Sequence, residues 1–314
     1  MSDFASFLHA IGLLPKDVVP DGRWHRCPTA DKPRAKNGSF KLAVDGLIGW
    51  AMDFAVHTEP LTWRPDKEYV APRIDGAAIA RKRAAERKAL LEATRAAQKF
   101  YLECRPLRGG HPYLVDHGLT MTGCFGLKLD REGWLVIPVL LDGALISVQR
   151  ISPAGEKRFW YGASVKGGSY PIERAGASLT VLCEGFATGA AIFAAAPLTR
   201  VVVCFNAGNL GEVPQPRRGM VVVAADNDHA TEKRIGRNPG LEAARAAADA
   251  LGCGVAVPMG IIGTDWSDYM RERLAALLEN CGRRRESDIR RAVDAEIAAA
   301  MMRHARFMRS MKAA

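Results

Sequence analysis

Between residues 178 and 270, four short aliphatic runs, LTVLCE, RVVVCF, MVVVAAD and CGVAVPM, alternate with stretches of helix-forming residues. This alternation is the pattern of an open parallel α/β sheet, with each strand returning through a helix or a long loop. FATGAAIFAAA supplies the helix after the first run. PGLEAARAAADAL supplies another, with Asn238 as N-cap, Pro239 in the first turn and Gly252 just past the end, the start and stop signals of a helix.

In such sheets ligands bind beyond the carboxyl ends of the strands. Glu184 stands there on the first run, and Asp226 and Asp228 on the third, in AADND. Side chains two apart on a strand share a face, so the two aspartates are expected to point together toward the sheet's edge. Carboxylates gathered in this way repel one another unless a cation lies among them. All-oxygen donors suit a hard divalent ion, Mg²⁺ or Mn²⁺. Asp265 and Asp268, in TDWSDY, follow the next strand and stand equally as further metal ligands or as the N-cap of a helix.

The rest of the chain divides around this sheet. Residues 1–70 read as a small β module with a hairpin, SFKLAVDGLIGWAMDF, turning at Asp45-Gly46. Residues 71–105 read as a long basic helix. Residues 106–177 return to strands, with Asp142-Gly143 as the turn of WLVIPVLLDGALISVQRI. Residues 178–270 are the α/β unit, and 271–314 a helical, arginine-rich tail.

The formal charge of +10 points to a polyanionic partner, most often nucleic acid. Much of the excess lies in the helix at 81–99 and in Arg283, Arg284, Arg285, Arg290, Arg291, Arg303, Arg306 and Arg309 of the tail. Seven cysteines (27, 104, 124, 183, 204, 253 and 281), odd in number and never spaced C-x-x-C, argue against a disulfide framework or zinc ribbon. Cys183 and Cys204 read as small buried thiols. No run is long enough to span a membrane and no signal peptide opens the sequence, so a cytoplasmic protein is expected. No P-loop occurs, so helicase activity is not expected.

E-G on the first strand and D-x-D on the third resemble the Toprim domain of bacterial DnaG-type primases, type IA and II topoisomerases, RecR proteins and some nucleases. HPYL (111–114), KRFWYGASVKGG, EGFATG, FNAGNL, AADND and NPG are similar to the plasmid and phage branch of the DnaG-type primases. The resemblance covers most of residues 105–270. It implies an α/β fold, α+β overall: a Rossmann-like Toprim sheet preceded by a mixed β/α primase-core subdomain, with a small N-terminal β module and a helical tail. It implies a DNA primase, a nucleotidyltransferase making short RNA primers on single-stranded DNA from NTPs. Glu184, Asp226 and Asp228 would be its catalytic acids and metal ligands, with Asp265 or Asp268 assisting a second Mg²⁺ or Mn²⁺.

Arg150, Lys157, Arg158 and Lys166 fall where that family keeps its basic nucleotide-binding residues, and Asn206 and Asn209, past the second strand at the same edge, read as nucleotide contacts or as residues of a structural turn. The sequence departs from the family at its N-terminus. WHRCP holds only His25 and Cys27, too few for a four-ligand zinc site, so no zinc is expected. Trp24, Phe40 and Trp50 there read as core or as base-stacking platforms. The tail is a possible docking helix for a replicative helicase. Two other readings use the same residues: a Toprim nuclease, and a non-catalytic single-strand-binding module. A topoisomerase is disfavoured by the length of the chain.

Overall fold

The computed structural model describes residues 3–57, 59–65, 76–119, 126–213, 219–280 and 285–312, with the side chains of 78 and 306–312 left aside. Cys124, Cys281, Arg283 and Arg284 lie outside the described residues, and the side chains of Arg306 and Arg309 are outside it as well. The chain divides into two compact units, Met1–Lys88 and Ala89–Ala314.

The first unit holds α1 (Phe4–Ala10) and an antiparallel sheet of β1 (His25–Cys27), β2 (Gly38–Leu42), β3 (Gly49–Asp53) and β4 (Leu61–Trp63), in that order. The expected hairpin is β2–β3, turning at a Gly46 with φ of +72°. Phe4, Leu8, Leu13, Phe40, Leu42, Ala51 and Trp63 form its core. His25 hydrogen-bonds Asp21 through Nε2 at 2.9 Å and stacks on Phe40, while Cys27 is buried among the apolar residues. Phe40 is therefore core. Trp24 is half exposed, and Trp50 lies under the ammonium of Lys41.

The long helix α2 (Gly76–Glu103) follows, close to its expected bounds. Next come β5 (Arg105–Pro106), α3 (Pro112–Asp116), β6 (Lys128–Leu129), β7 (Leu135–Leu141), β8 (Ala144–Ile151) and β9 (Lys157–Phe159). Their five strands form an antiparallel sheet in chain order. β7 and β8 turn at Asp142 and Gly143, with φ of +49° and +81°, the geometry that makes Asp-Gly a hairpin signal.

The aliphatic runs then form the second sheet of this unit. β10 (Tyr170–Ile172), β11 (Leu179–Cys183), α4 (Phe186–Ala195), β12 (Thr199–Val203), β13 (Met220–Ala224), α5 (His229–Ile235), α6 (Pro239–Leu251) and β14 (Gly254–Ala256) occur in turn. The strand order is β10-β12-β11-β13-β14, parallel except for β10, which the sequence pattern did not separate from the preceding strands. Asn238 caps α6 by accepting from Leu241 N, and Gly252 closes it in the left-handed conformation.

One face of the sheet is covered by α6 through Ala244, Ala247 and Ala248. The other packs on α4 and α8 (Glu286–Lys312), and α7 (Trp266–Glu279) lies against those two helices. The arginine-rich tail is thus not a separate arm. Ile289, Val293, Ile297, Met301 and Ala305, each four residues from the last, are buried, and the last four belong to the main core. That i, i+4 stripe is the face a helix needs to cover a sheet, while Arg291 and Arg303 on the polar face stay exposed. Among the described residues no helix is long and apolar enough to cross a membrane.

Candidate active site

The central strand β11 ends at Cys183, so Glu184 emerges at the carboxyl edge between β12 and β13. Asp226 and Asp228 lie beyond β13, but not on a strand. β13 ends at Ala224, and Asp228 has φ −73° and ψ 46°, outside the extended region. The aspartates are brought together by a pinned loop rather than by strand alternation. Asn227 N donates to Thr264 O at 2.7 Å. Asn238 Oδ1 accepts from Asp228 N at 3.1 Å, and Gly240 N donates to Asp228 Oδ2 at 2.9 Å.

Gly240 also has no room for a side chain, since a Cβ there would come within 2.7 Å of Asp226 O and 3.0 Å of Asp228 Oδ2. The sequence marked Asn238 only as a helix cap and gave Gly240 no role. One N-P-G segment both starts α6 and holds the acidic loop.

The four acids at this edge act on one another. Asp226 is pushed up to about 8, first by burial and then by Asp265, Glu184 and Asp228, with Lys157 opposing. Its Oδ1 is buried without a hydrogen-bond partner. Glu184 is also raised, by burial and by Asp228, against the backbone N–H of Ala207 and the charge of Lys157. A buried, unpartnered carboxylate oxygen among like charges is costly, and a cation would relieve it.

Of the expected basic residues, the structure brings one to these acids. β9 pairs with β8 so that Lys157 lies opposite Ile151, and Arg158 opposite Arg150. Adjacent strand residues face opposite sides. Lys157 shares the side of buried Ile151, where it opposes the charges of Glu184 and Asp226, with its ammonium 5.8 Å from the Tyr113 ring centroid. Arg150 and Arg158 face away, both over the Trp134 ring. Arg150 is held by Asp130 at 2.6 Å and Glu132 at 2.9 Å, and Arg158 by Glu156 at 2.7 Å. The expected basic cluster is therefore split by the pleat. Lys166 is exposed and 3.4 Å from Glu212. Asn209 is buried with its side-chain amide bonded to backbone groups, which leaves it nothing to offer a nucleotide directly.

Residues 179–276 match the Toprim domain family, and the matched segment begins with β11 and contains all of these acids. Residues 179–276 are a Toprim domain. The chain is also 29% identical over 278 residues to a DNA primase TraC of Escherichia coli, covering 80% of this chain and 19% of that protein. A second DNA primase TraC of Escherichia coli is 29% identical over 276 residues, 80% of this chain and 25% of its own length. The chain thus spans about a fifth to a quarter of the length of these curated relatives. The primase fragment of the bacteriophage T7 primase-helicase protein aligns with 81% of this chain and 98% of its own at 12% identity, with a TM-score of 0.38.

Within the Toprim domain the two outer aspartates take different parts. Asp265 caps α7, accepting from Ser267 N, Ser267 Oγ and Asp268 N, while its charge still reaches Asp226. Asp268 accepts from Thr264 N at 3.0 Å and pairs with Arg271 at 2.7 Å, so it shapes the loop. Tyr113, in the HPYL segment, was given no role by the sequence. It is 2% exposed, its hydroxyl has no partner, and burial and then Asp265 raise it.

Among the described residues, no three His, Cys, Asp or Glu side chains already converge on one metal position. A Mg²⁺ ion does not need such a cage, since it is commonly held by one or two carboxylates with water and substrate phosphate completing the octahedron. The orphaned Oδ1 of Asp226 and the oxygens of its Toprim neighbours fit that requirement.

Proposed function

We infer that the chain is a DNA primase of plasmid or phage type, a metal-dependent nucleotidyltransferase that joins NTPs into short RNA primers on single-stranded DNA. The observation that carries this reading is the reach of the similarity to the DNA primases TraC. It covers 80% of the chain, well beyond the Toprim domain at residues 179–276. The edge chemistry agrees, because several half-buried acids stand within reach of the charge of Lys157.

In this reading Asp226 and Asp228 hold Mg²⁺ or Mn²⁺, with Glu184 as a further ligand or as general base. Asp265 supports the site from the cap of α7. A bound divalent ion supplies charge neutralisation and activation of a hydroxyl. Glu184, raised by burial and by Asp228, is a better proton acceptor for the attacking 3′-hydroxyl than an ordinary carboxylate. Lys157 places positive charge where the triphosphate lies and steadies the charge that develops as pyrophosphate departs. The buried Tyr113 ring supports that lysine. Single-stranded DNA is the template and NTPs the substrates.

Primer synthesis on single-stranded circular DNA with labelled NTPs and Mg²⁺ or Mn²⁺ tests the reading. Short RNA products are expected from the wild type and are lost in Asp226→Asn and Glu184→Gln. Shortening of the DNA without RNA products, abolished by the same substitutions, would instead identify a nuclease.

A further inference from the structure

The turn at Asn206–Asn209 touches two elements that nucleotidyl transfer must keep in register. On one side the N–H of Ala207 donates to the Glu184 carboxyl and favours its charged form against burial. On the other, Asn209 reaches a loop more than forty residues earlier in the chain. Asn209 is 3% exposed. Its Oδ1 accepts from Gly167 N at 3.0 Å. Its Nδ2 donates to Val165 O at 2.6 Å, Cys204 O at 3.0 Å and Gly168 O at 3.2 Å. The two N–H groups and one carbonyl of the side chain are thereby fully occupied. Asn206 fixes the turn from within, its side chain accepting from Asn209 N at 3.1 Å.

The held loop is anchored equally firmly on its far side. A Cβ at Gly168 would lie 2.5 Å from Val139 and 2.9 Å from Ile146, so the backbone sits directly on the β7–β8 sheet. Ser169 exchanges two backbone hydrogen bonds of 2.8 Å with Leu140. The loop's own amides are engaged: Lys166 N with Ser164 Oγ, Gly167 N with Asn209, and Gly168 N with Val165 O. What the loop presents outward is the side chain of Lys166, 74% exposed and 3.4 Å from Glu212.

A second contact runs parallel to this bracket. Phe205, at the start of the same turn, has φ of +69°, rare for a bulky residue and a sign of over-determined structure. Its ring meets Phe159 edge-on at 5.9 Å. Phe159 lies two residues from Lys157 on the same face of β9. One turn therefore engages both the strand that carries Lys157 and the loop that carries Lys166.

We propose that Asn209 is a positioning residue, holding the Val165–Gly168 loop so that Lys166 meets the phosphates of a nucleoside triphosphate at the acidic edge, with Glu212 as its partner when nucleotide is absent. The exposed Lys166–Glu212 pair is of the weak kind that a phosphate readily replaces. Since the amides of Lys166, Gly167 and Gly168 are engaged, the loop's contact with phosphate is the lysine's point charge rather than a backbone cradle. This inference rests on the nucleotidyl-transfer reading above.

The test is an equilibrium titration of fluorescent ATP in Mg²⁺ against the full chain, with a thermal melt of each variant. Lys166→Ala is expected to melt like wild type and bind ATP about tenfold more weakly, the loss of one charged contact. Asn209→Ala is expected to lose a similar factor, and the double variant about tenfold in all, because both substitutions remove one contact. In primer synthesis the effect falls on KM for NTP, with kcat little changed.

Unchanged affinity in Lys166→Ala overturns the inference even if Asn209→Ala fails to fold. Unchanged affinity in a folded Asn209→Ala, or losses that multiply to about a hundredfold in the double variant, overturns it as well. If wild type binds no ATP, the nucleotidyl-transfer reading fails and takes this inference with it. Binding by wild type that none of the variants weakens defeats this inference alone.

Discussion

Replacing Asp226 by asparagine should make the metal-free protein more stable in alkaline solution and less responsive to metal. Burial and three neighbouring carboxylates push Asp226 from an ordinary 3.8 up to about 8. Between those values the folded protein retains a proton that the unfolded chain has released, so the native state binds more protons and stability falls as pH rises. The loss begins near the unfolded value and is complete above about pH 8. A shift of roughly four units at about 1.4 kcal/mol each sets a ceiling near 6 kcal/mol. Water at the open sheet edge and outward movement of the neighbouring acids reduce this, and about 2 kcal/mol is the expected effect at about pH 8.5.

Asparagine has the same shape and no charge to release, so it removes this slope. Thermal melts without metal should coincide for the two proteins only below the unfolded value, at about pH 3.5. They should separate by roughly 4–8 °C in favour of Asp226→Asn at about pH 8.5, for a unit of this size. Millimolar Mg²⁺ should raise the wild-type melting temperature by linkage and narrow the gap, with a smaller effect on the variant. Equal melting temperatures at about pH 8.5 without metal, or a less stable variant there, would refute the reasoning.

Three further outcomes follow from the geometry. Gly240→Ala should disturb the aspartate loop, since its Cβ would approach Asp226 O at 2.7 Å and Asp228 Oδ2 at 3.0 Å; primer synthesis falls at least tenfold while the far-ultraviolet dichroism is retained. Lys157→Ala should lower primer synthesis by roughly 10- to 100-fold, whereas Arg158→Ala, facing the other way toward Trp134, should stay within about twofold; equal losses would contradict the split that the strand pleat imposes. Ile297→Ala should destabilise the second unit by about 2–5 kcal/mol, because Ile297 is fully buried on the sheet; a melting temperature within a degree of wild type would mean that the tail is not part of the core.

What the sequence disclosed was mostly local. The Asp45-Gly46 and Asp142-Gly143 hairpins and the Asn238 and Gly252 limits of α6 follow from backbone conformations that those residue types favour. The strand-end positions of Glu184 and Asp226 were equally plain. The splitting of Lys157 from Arg158 was also within reach, because alternation along a strand forces it. Other features depend on distant partners that no local pattern names. Arg150 is neutralised by Asp130 and Glu132 from an earlier hairpin. Asn209 bonds to a loop more than forty positions away, although loop asparagines ordinarily make local turns. The tail's arginines drew attention to its polar side, while the spacing by four of Val293, Ile297, Met301 and Ala305, which makes it a core helix, lay in the same residues.

The central claim is that the Toprim acids gather a divalent ion at the carboxyl edge of the sheet. Titration of Mn²⁺ followed by electron paramagnetic resonance, with wild type, Asp226→Asn, Asp228→Asn and Asp268→Asn, tests it most directly. The account predicts bound Mn²⁺ in wild type, tightened by ATP, weakened at least tenfold in Asp226→Asn and Asp228→Asn, and nearly unchanged in Asp268→Asn, whose carboxylate is occupied by Thr264 and Arg271. Equal Mn²⁺ affinity in wild type and in both Asp226→Asn and Asp228→Asn would contradict it.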